Sequence, residues 1–515
     1  MAGQNKLLRL REVITENLRV QRDGQQINYI NVGNALQDAC SKQNHAIFAR
    51  RGCGKTLLLH HSSRALRSNI KSIYLNCEDF KRHSFPNVLI EILSSLFREL
   101  ERNLHGWFGK KKRSRDIIKS IIAKLSNLQR TADVQDEDIK RKNSSNDEAG
   151  IEASVGTDID RLTMKFSTNN KINEKEEVER SFKIHREKLQ ELDRWLPELK
   201  ERIRDFFKIS AETDAIIIQL DDLYHLKRTD QAFVVDYIHR LCKDVPLYYK
   251  IATLRHASTL YADRDGQPIG AQERHDYQPI NIDYTFNDFN KVLDQNWKIL
   301  KQFGEKADLS EDEIQGLFKG EGFARLVMAG GGVPRDVLSL FNEVLPEVSS
   351  RDDKIGKDDV RILSRSNFER KIEELKQDSK GDEQDDLIRG IYIIRQFCLE
   401  KRTNMFVVQE RMLQQNDKWR ALFYRLLDYR IIHSCAVALT HKSQEGTYQA
   451  FAIDIGCYAH LRKLQGKFTE IDISSRDAKE KMRSSPVLDA SKLSDLFRTV
   501  PANVEEALLS PDIAE

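Results

Sequence analysis

At 515 residues the chain is long enough for two to four domains. With 40% hydrophobic and 32% charged residues it reads as a charge-rich globular protein. No apolar run reaches the roughly eighteen residues of a membrane helix, and MAGQNKLLRLREVITENLRV lacks the apolar core and cleavage site of a secretion signal. A net charge of +3 is too small to argue for nucleic acid by itself. The seven cysteines are scattered singly with no CxxC pair, which points away from zinc sites and a disulfide framework and toward a reducing cytoplasm.

Residues 1–45 are polar and mixed and lead into a core of alternating strands and helices. Within them Val32 to Cys40 has helical spacing, with Gly33 and Asn34 as start signals. From Ala46 an alternation begins. AIFA is a short buried strand, Lys55 to Ala65 a helix, KSIYLNC (Lys71 to Cys77) a strand, and Pro86 to Leu104 an amphipathic helix. Strands alternating with helices predict an α/β fold with a parallel sheet. The rhythm breaks over about 109–208. KKKRSR is followed by roughly sixty residues rich in Asp, Asn, Ser, Lys and Glu, with too few apolar positions to pack, so much of this is expected to be loose. A helix over about Glu174 to Phe207 then keeps three-four spacing at Phe182, Leu189, Leu192, Leu196, Leu199, Ile203 and Phe206. It reads either as part of an amphipathic hairpin inserted into the sheet domain or as a partner-binding coiled coil, against whose straight seam Pro197 argues.

The sheet resumes with AIIIQL (Ala215 to Leu220), YYKIATL (Tyr248 to Leu254) and QPINIDY (Gln278 to Tyr284). This closes a core over 46–285. Helical segments follow over 286–375, and KQDSKGDEQDD (Lys376 to Asp386) reads as a linker. A third block spans 387–470. The tail, 471–515, is polar except near Leu493 to Val500, where a docked helix is expected.

The stretch FARRGCGKTLLL, Phe48 to Leu59, carries the chemistry. It reads as a phosphate loop, G-x-x-x-x-G-K-[ST], with Ala49 in place of the first glycine. A strand turning through such a loop into a helix aims backbone N–H groups and the helix dipole at one point, which suits a phosphate. Arg51, Gly52, Cys53, Gly54, Lys55, Thr56 and Leu57 are the candidate nucleotide-binding residues. Lys55 reaches toward the β- and γ-phosphates, and Thr56 offers its hydroxyl to Mg²⁺. The methyl of Ala49 is a mild obstacle at negative φ and a serious one at positive φ. The motif calls for a second strand ending in acids, and IIIQLDD supplies Asp221 for Mg²⁺ and Asp222 to orient an attacking water. Asp222 is one methylene shorter than the usual Glu, which predicts hydrolysis that is slow or relies on partner groups. KIATLRH ends in Arg255, which either senses the γ-phosphate or caps the strand at the surface. In GGGVPRD, Arg335 sits near a helix N-terminus, where a cation works against the dipole unless an anion lies nearby.

The order of these elements, RRGCGKT, YLNC, the LDD strand, ATLR and GGGVPRD, resembles the AAA+ ATPases. It is most similar to the initiator clade of origin-recognition-type proteins and their bacterial relatives. LDD and the Thr253-x-Arg255 pattern lean toward the neighbouring STAND signalling ATPases. The resemblance covers about Asn34 to Val348. It implies a five-stranded parallel P-loop NTPase sheet, a helical lid carrying Arg335 as second sensor, ATP and Mg²⁺ between them, and side-by-side assembly in which a neighbour's arginine, here Arg274, completes the site. Ala49, Asp222 and the long insertion depart from the pattern and bear on turnover more than on binding.

Residues 387–467 hold thirteen Lys or Arg against six Asp or Glu. The expected order is three helices and then two strands around SQEG, the shape of a winged helix. Lys418, Arg420 and Arg425 fall on its recognition helix, Lys442 near the wing tip, with Arg462 and Lys463 following; such cations suit duplex DNA phosphates. Winged helices also serve protein contacts. Three readings of the whole chain stand. One is an ATP-dependent switch assembling with itself or a partner on duplex DNA. Another is a STAND-like signalling or defence ATPase whose C-terminal module meets protein. The last is a scaffold that has lost the chemistry. No effector motif is present, and nothing suggests a membrane partner.

Overall fold

The computed structural model describes residues 2–18, 27–83, 85–102, 110–130, 186–209, 213–264, 267–379, 381–459 and 468–501, with 504, 505 and 508. The chain divides into two compact units: Asn34–Phe48 with Leu58–Ile280, and Met1–Gly33 with Ala49–Leu57 and Asn281–Glu515.

The first unit is built on a five-stranded parallel sheet of order β2-β3-β4-β1-β7. Its strands are β1 (His45–Phe48), β2 (Ile70–Asn76), β3 (Ala215–Asp221), β4 (Leu247–Thr253) and β7 (Gln278–Asn281). β3 pairs in parallel with β2 and with β4, and β4 with β1. Every residue of β3 is buried, which is why AIIIQL is an unbroken apolar run rather than an alternation: helices cover both faces. α2 (Ala35–Cys40) and α3 (Lys55–Ala65) start where their sequence signals predict. Lys250, buried in β4, closes the end of α2 by donating to the carbonyls of Asp38 (3.1 Å), Ser41 (2.9 Å) and Gln43 (2.7 Å). A hairpin of β5 (Tyr261–Arg264) and β6 (Gln267–Gly270) precedes β7 and has no clear sign in the sequence.

The insertion departs from expectation. Its opening is not loose: KKKRSR begins helix α5 (Lys110–Arg130), which follows α4 (Asn87–Arg102). Ile118, Ile121 and Leu125 of α5 are buried in the same core as α4 and the sheet. That three-four pattern was hidden by the charged composition around it. α6 (Arg186–Ile209) returns with Leu192, Leu199, Ile203 and Phe206 buried, and the Tyr237 hydroxyl of α7 (Arg228–Cys242) donates to the Leu192 carbonyl at 2.7 Å. These two helices form an inserted amphipathic pair, and Pro197 lies inside α6. The acidic stretch 133–150 and Phe182 lie outside the described residues.

The second unit has one continuous apolar core from Leu10 to Leu508. Residues 2–17, read as a polar lead-in, are helix α1 (Ala2–Asn17), with Leu10 and Ile14 fully buried. The stretch expected to form a lid holds helices α8 (Phe289–Lys306), α9 (Glu311–Gln315), α10 (Gly322–Ala329), α11 (Pro334–Ser350) and α12 (Lys357–Asp378). The expected linker is not one. α12 runs to Asp378 and α13 (Asp382–Glu400) begins four residues later, with Asp382, Glu383 and Asp385 in its first turn. Carboxylates there favour the helix dipole, so a polar run that reads as spacer is one helix end meeting the next start. The third block gains a strand over expectation. After α13 come β8 (Met405–Gln409), α14 (Glu410–Gln415), α15 (Asp417–Asp428), β9 (Ile432–Thr440) and β10 (Thr447–Ile453), in an antiparallel sheet of order β8-β10-β9. The β9–β10 turn spans SQEG as predicted. The tail docks through α16 (Ala478–Met482) and α17 (Ala490–Thr499), with Leu493 and Phe497 buried. Among the described residues no helix is long and apolar enough to cross a membrane.

Candidate functional site

The loop Ala49–Leu57 is held by long-range contacts within its own unit. Arg50, which sequence reasoning passed over, is buried and forks onto Asp283: Nε to Oδ2 at 2.6 Å and a terminal nitrogen to Oδ1 at 2.8 Å. It also donates to the Gly331 carbonyl (2.8 Å) and the Tyr284 carbonyl (3.2 Å). Burial pushes the Asp283 carboxyl up, but the Arg50 guanidinium more than offsets it and holds it below the usual range. The backbone N–H of Arg50 donates to the same carboxylate at 3.1 Å, so one acid fixes both the main chain and the side chain of the loop's second residue.

Gly52 and Gly54 have φ of +84° and +87°, the left-handed region where glycine is favoured. Ala49 is not among the positive-φ residues, so its methyl meets only the milder objection. A Cβ on Gly52 would come within 2.8 Å of both Val333 Cγ1 and Arg335 Cβ. The GGGVPRD turn therefore lies directly against the loop, and the Arg335 N–H donates to the Gly52 carbonyl at 3.4 Å. Lys55 is buried, with its ammonium donating to the Ala49 (3.0 Å) and Arg50 (3.2 Å) carbonyls. Arg51 pairs with Asp378 at 2.5 Å. The Arg335 guanidinium lies 3.8 Å from both Asp336 and Glu374. Burial drives the Cys53 thiol well above its usual range, so it is a packing residue of the loop and not a reactive one.

In the sheet unit, Asp221 ends β3 and is 1% exposed. Its carboxylate is oriented from two sides. The Tyr74 hydroxyl of β2 donates to Oδ2 at 2.8 Å and the Asp222 N–H donates to Oδ1 at 3.0 Å. Burial first, then the Asp221 charge, pushes the Tyr74 phenol well above its usual range, so it stays a donor. Asp222 takes φ +52°, a conformation Asp accepts more readily than most side chains. β1 and β3 flank β4 in a parallel sheet, so their carboxyl ends open on one edge, the usual ligand edge of such sheets. Arg255 stacks on Phe48, 4.5 Å from the ring centre, and reaches Glu273 at 3.2 Å. Arg274 is exposed at φ +69°, and among the described residues no ion pair holds its side chain. Among the described residues no cluster of three or more His, Cys, Asp or Glu is placed to hold a metal. A magnesium ion sharing a nucleotide's phosphates needs only one or two protein ligands, and an oriented carboxylate such as that of Asp221 has the chemistry of one. Backbone amides, two left-handed glycines and a buried ammonium likewise fit a polyphosphate.

The C-terminal cations lie on the expected helix and at the expected turn, but their side chains are paired within the chain. Arg425 is buried, pairs with Glu383 at 3.0 Å and packs on Tyr429. Lys418 faces Asp386 at 3.5 Å and lies over the Phe497 ring. Arg420 is paired with Asp417, and Lys442 with Glu480 at 2.9 Å. The cause is packing. Trp419, Leu422, Phe423 and Leu426 turn α15 inward, and α17 lays Phe497 5.0 Å from the Trp419 ring. Arg462 and Lys463 lie outside the described residues. The helix read as a row of phosphate contacts thus carries internally paired cations.

No family model matches the sequence, and no curated protein matches it significantly. Solved structures to which the chain is similar include the Walker-type ATPase paby2304 of Pyrococcus abyssi, at 13% identity and TM-score 0.38, covering 86% of this chain and 98% of that one. Another is the Drosophila ORC bound to DNA, at 12% identity and TM-score 0.33, covering 88% and 91%. A third is the Orc1 protein of Aeropyrum pernix in complex with DNA, at 13% identity and TM-score 0.30, covering 93% and 91%. On its own motif order and its β2-β3-β4-β1-β7 sheet, the chain has an α/β P-loop NTPase fold and resembles the AAA+ ATPases of the origin-recognition clade.

Proposed function

We propose that the chain binds ATP with Mg²⁺ and hydrolyses it slowly, acting as a nucleotide-dependent switch. The observation that carries this is the loop: two left-handed glycines and a buried lysine, braced by the helix start that carries Arg335. In this reading, amides from Gly52 to Leu57 hold the phosphates and Lys55 neutralises the β- and γ-phosphates. Thr56 and Asp221 hold the metal, which supplies Lewis-acid stabilisation of the transferring phosphoryl group. Asp222 orients the attacking water, with its short side chain limiting the rate. Arg335 answers to the γ-phosphate from the lid and Arg255 from the sheet. Arg274 is offered to a neighbouring copy. Titration with a fluorescent ATP analogue tests this: wild type saturates with Mg²⁺ present, and a wild-type chain that binds no nucleotide sinks the reading.

For the C-terminal block, whose order of helix, strand, two helices and two strands suits a winged helix, one observation favours protein over duplex DNA as the partner. Lys418, Arg420, Arg425 and Lys442 are already paired with acids of the chain itself. Duplex binding that falls steeply with salt would restore the DNA reading.

A further inference from the structure

α15 ends in a Schellman turn. The Arg430 N–H donates to the Leu427 carbonyl and the Ile431 N–H to the Leu426 carbonyl, both at 3.0 Å. Such a turn puts one residue in the left-handed region, and glycine is its usual occupant. Here the residue is Arg430, at φ +61°. A bulky side chain in that conformation is strained, and strain of this kind persists where the side chain is needed.

The guanidinium is 1% exposed and reaches the phosphate loop. One terminal nitrogen donates to the Arg51 carbonyl at 3.2 Å, and the other is bonded to Glu374. Nε lies 3.3 Å from Asp336 Oδ2, yet neither atom makes a hydrogen bond, so that contact is electrostatic and misaligned. Asp336 and Glu374 are also the two acids beside Arg335. Arg51 itself is tied to Asp378, one turn beyond Glu374 on α12. Four segments of one unit therefore meet at this guanidinium: the loop, the start of α11, the end of α12 and the α15–β9 turn.

We propose that Arg430 is a positioning residue for the nucleotide loop, and that it makes the state of that loop legible to the C-terminal block. It holds the loop backbone through the Arg51 carbonyl and competes with Arg335 for two shared acids. A phosphate on the loop draws Arg335 away from Asp336 and Glu374, which are then left to Arg430, and the α15–β9 turn tightens. This rests on the nucleotide reading above.

The test is hydrogen exchange over residues 417–434 in the full chain, with and without a non-hydrolysable ATP analogue and Mg²⁺, beside a direct binding titration. In wild type the analogue is expected to slow exchange there about fivefold or more. Arg430→Gly relieves the backbone strain while removing the guanidinium. It should still bind the analogue, more weakly, but without changing exchange over that segment. Arg430→Lys keeps the charge without the fork and should recover part of the response; it carries the test if the glycine variant does not fold. Nucleotide-linked protection that survives in either variant at wild-type strength overturns the proposal, as does a wild type that binds the analogue with no change at 417–434. A wild type that binds no nucleotide overturns the nucleotide reading itself, and this proposal with it.

Discussion

Two groups of cations in the same unit are held in opposite ways. Around the phosphate loop, Arg50 and Arg430 are buried and meet carboxylates or backbone carbonyls drawn from distant segments, while buried Lys55 donates to the carbonyls of Ala49 and Arg50 in its own loop. On and beside α15, Lys418 and Arg420 are half-exposed and meet acids of their own helix or its neighbour. Positive charge counted along a sequence is the same in both places. Buried, with fixed acceptors, it shapes a site; half-exposed and paired nearby, it is spent on local helix geometry.

The sharpest way to break this contrast is Arg50→Ala. It strands Asp283 as a buried, unpaired carboxylate and should cost about 3–5 kcal/mol in denaturant unfolding. A loss under ~1 kcal/mol would place Arg50 with the local pairs. Acid should separate the groups too. Burial drives His433 down to about 4 from 6.5, against the pull of Asp454, while Lys371 and Arg50 reinforce the lowering. The folded state keeps this histidine neutral where the unfolded chain takes up a proton. The stability it contributes is full above about pH 6.5 and is lost as pH falls toward 4, by up to ~3 kcal/mol. Asp454, whose carboxyl Lys371 holds low despite burial, adds a further loss only below that window, as pH falls from about 3.8. Melting curves should therefore fall steeply across that window, and His433→Gln should flatten the fall; His45, also lowered to about 4, leaves a residual slope. Lys55→Ala should weaken ATP binding on the order of 100-fold by equilibrium titration, from lost charge-assisted bonds. Smallest of all, Lys418→Ala and Arg420→Ala should each change stability by ~0–1 kcal/mol and leave nucleotide affinity where it was.

The readable features were those with a local grammar. The Gly52-Gly54-Lys55 spacing, the unbroken apolar run of β3 with Asp221 at its end, and the Val333-Pro334 start of α11 each follow from nearest-neighbour chemistry, and each lies where its sequence places it. Composition misled where it stood in for pattern. The charges of KKKRSR hid the apolar stripe of α5, and the acids of 376–386 looked like spacer when they are a helix start. Tertiary partners left no trace at all. Nothing beside Arg50 names Asp283 as its partner, and nothing beside Arg430 announces a guanidinium at a glycine position. The inward turn of Arg425 was equally hidden, because its acidic partner, Glu383, comes from the start of α13 and not from the helix that carries Arg425.

The grip of Arg50 on Asp283 and Gly331 has a consequence for dissecting this protein. A fragment cut after residue 285 keeps the glycine-lysine motif intact on paper yet discards Gly331, Val333 and Arg335, the atoms against which that motif is moulded. The phosphate-loop motif is thus not a portable cassette: its shape is written by residues almost three hundred positions downstream, and the two must be inherited together.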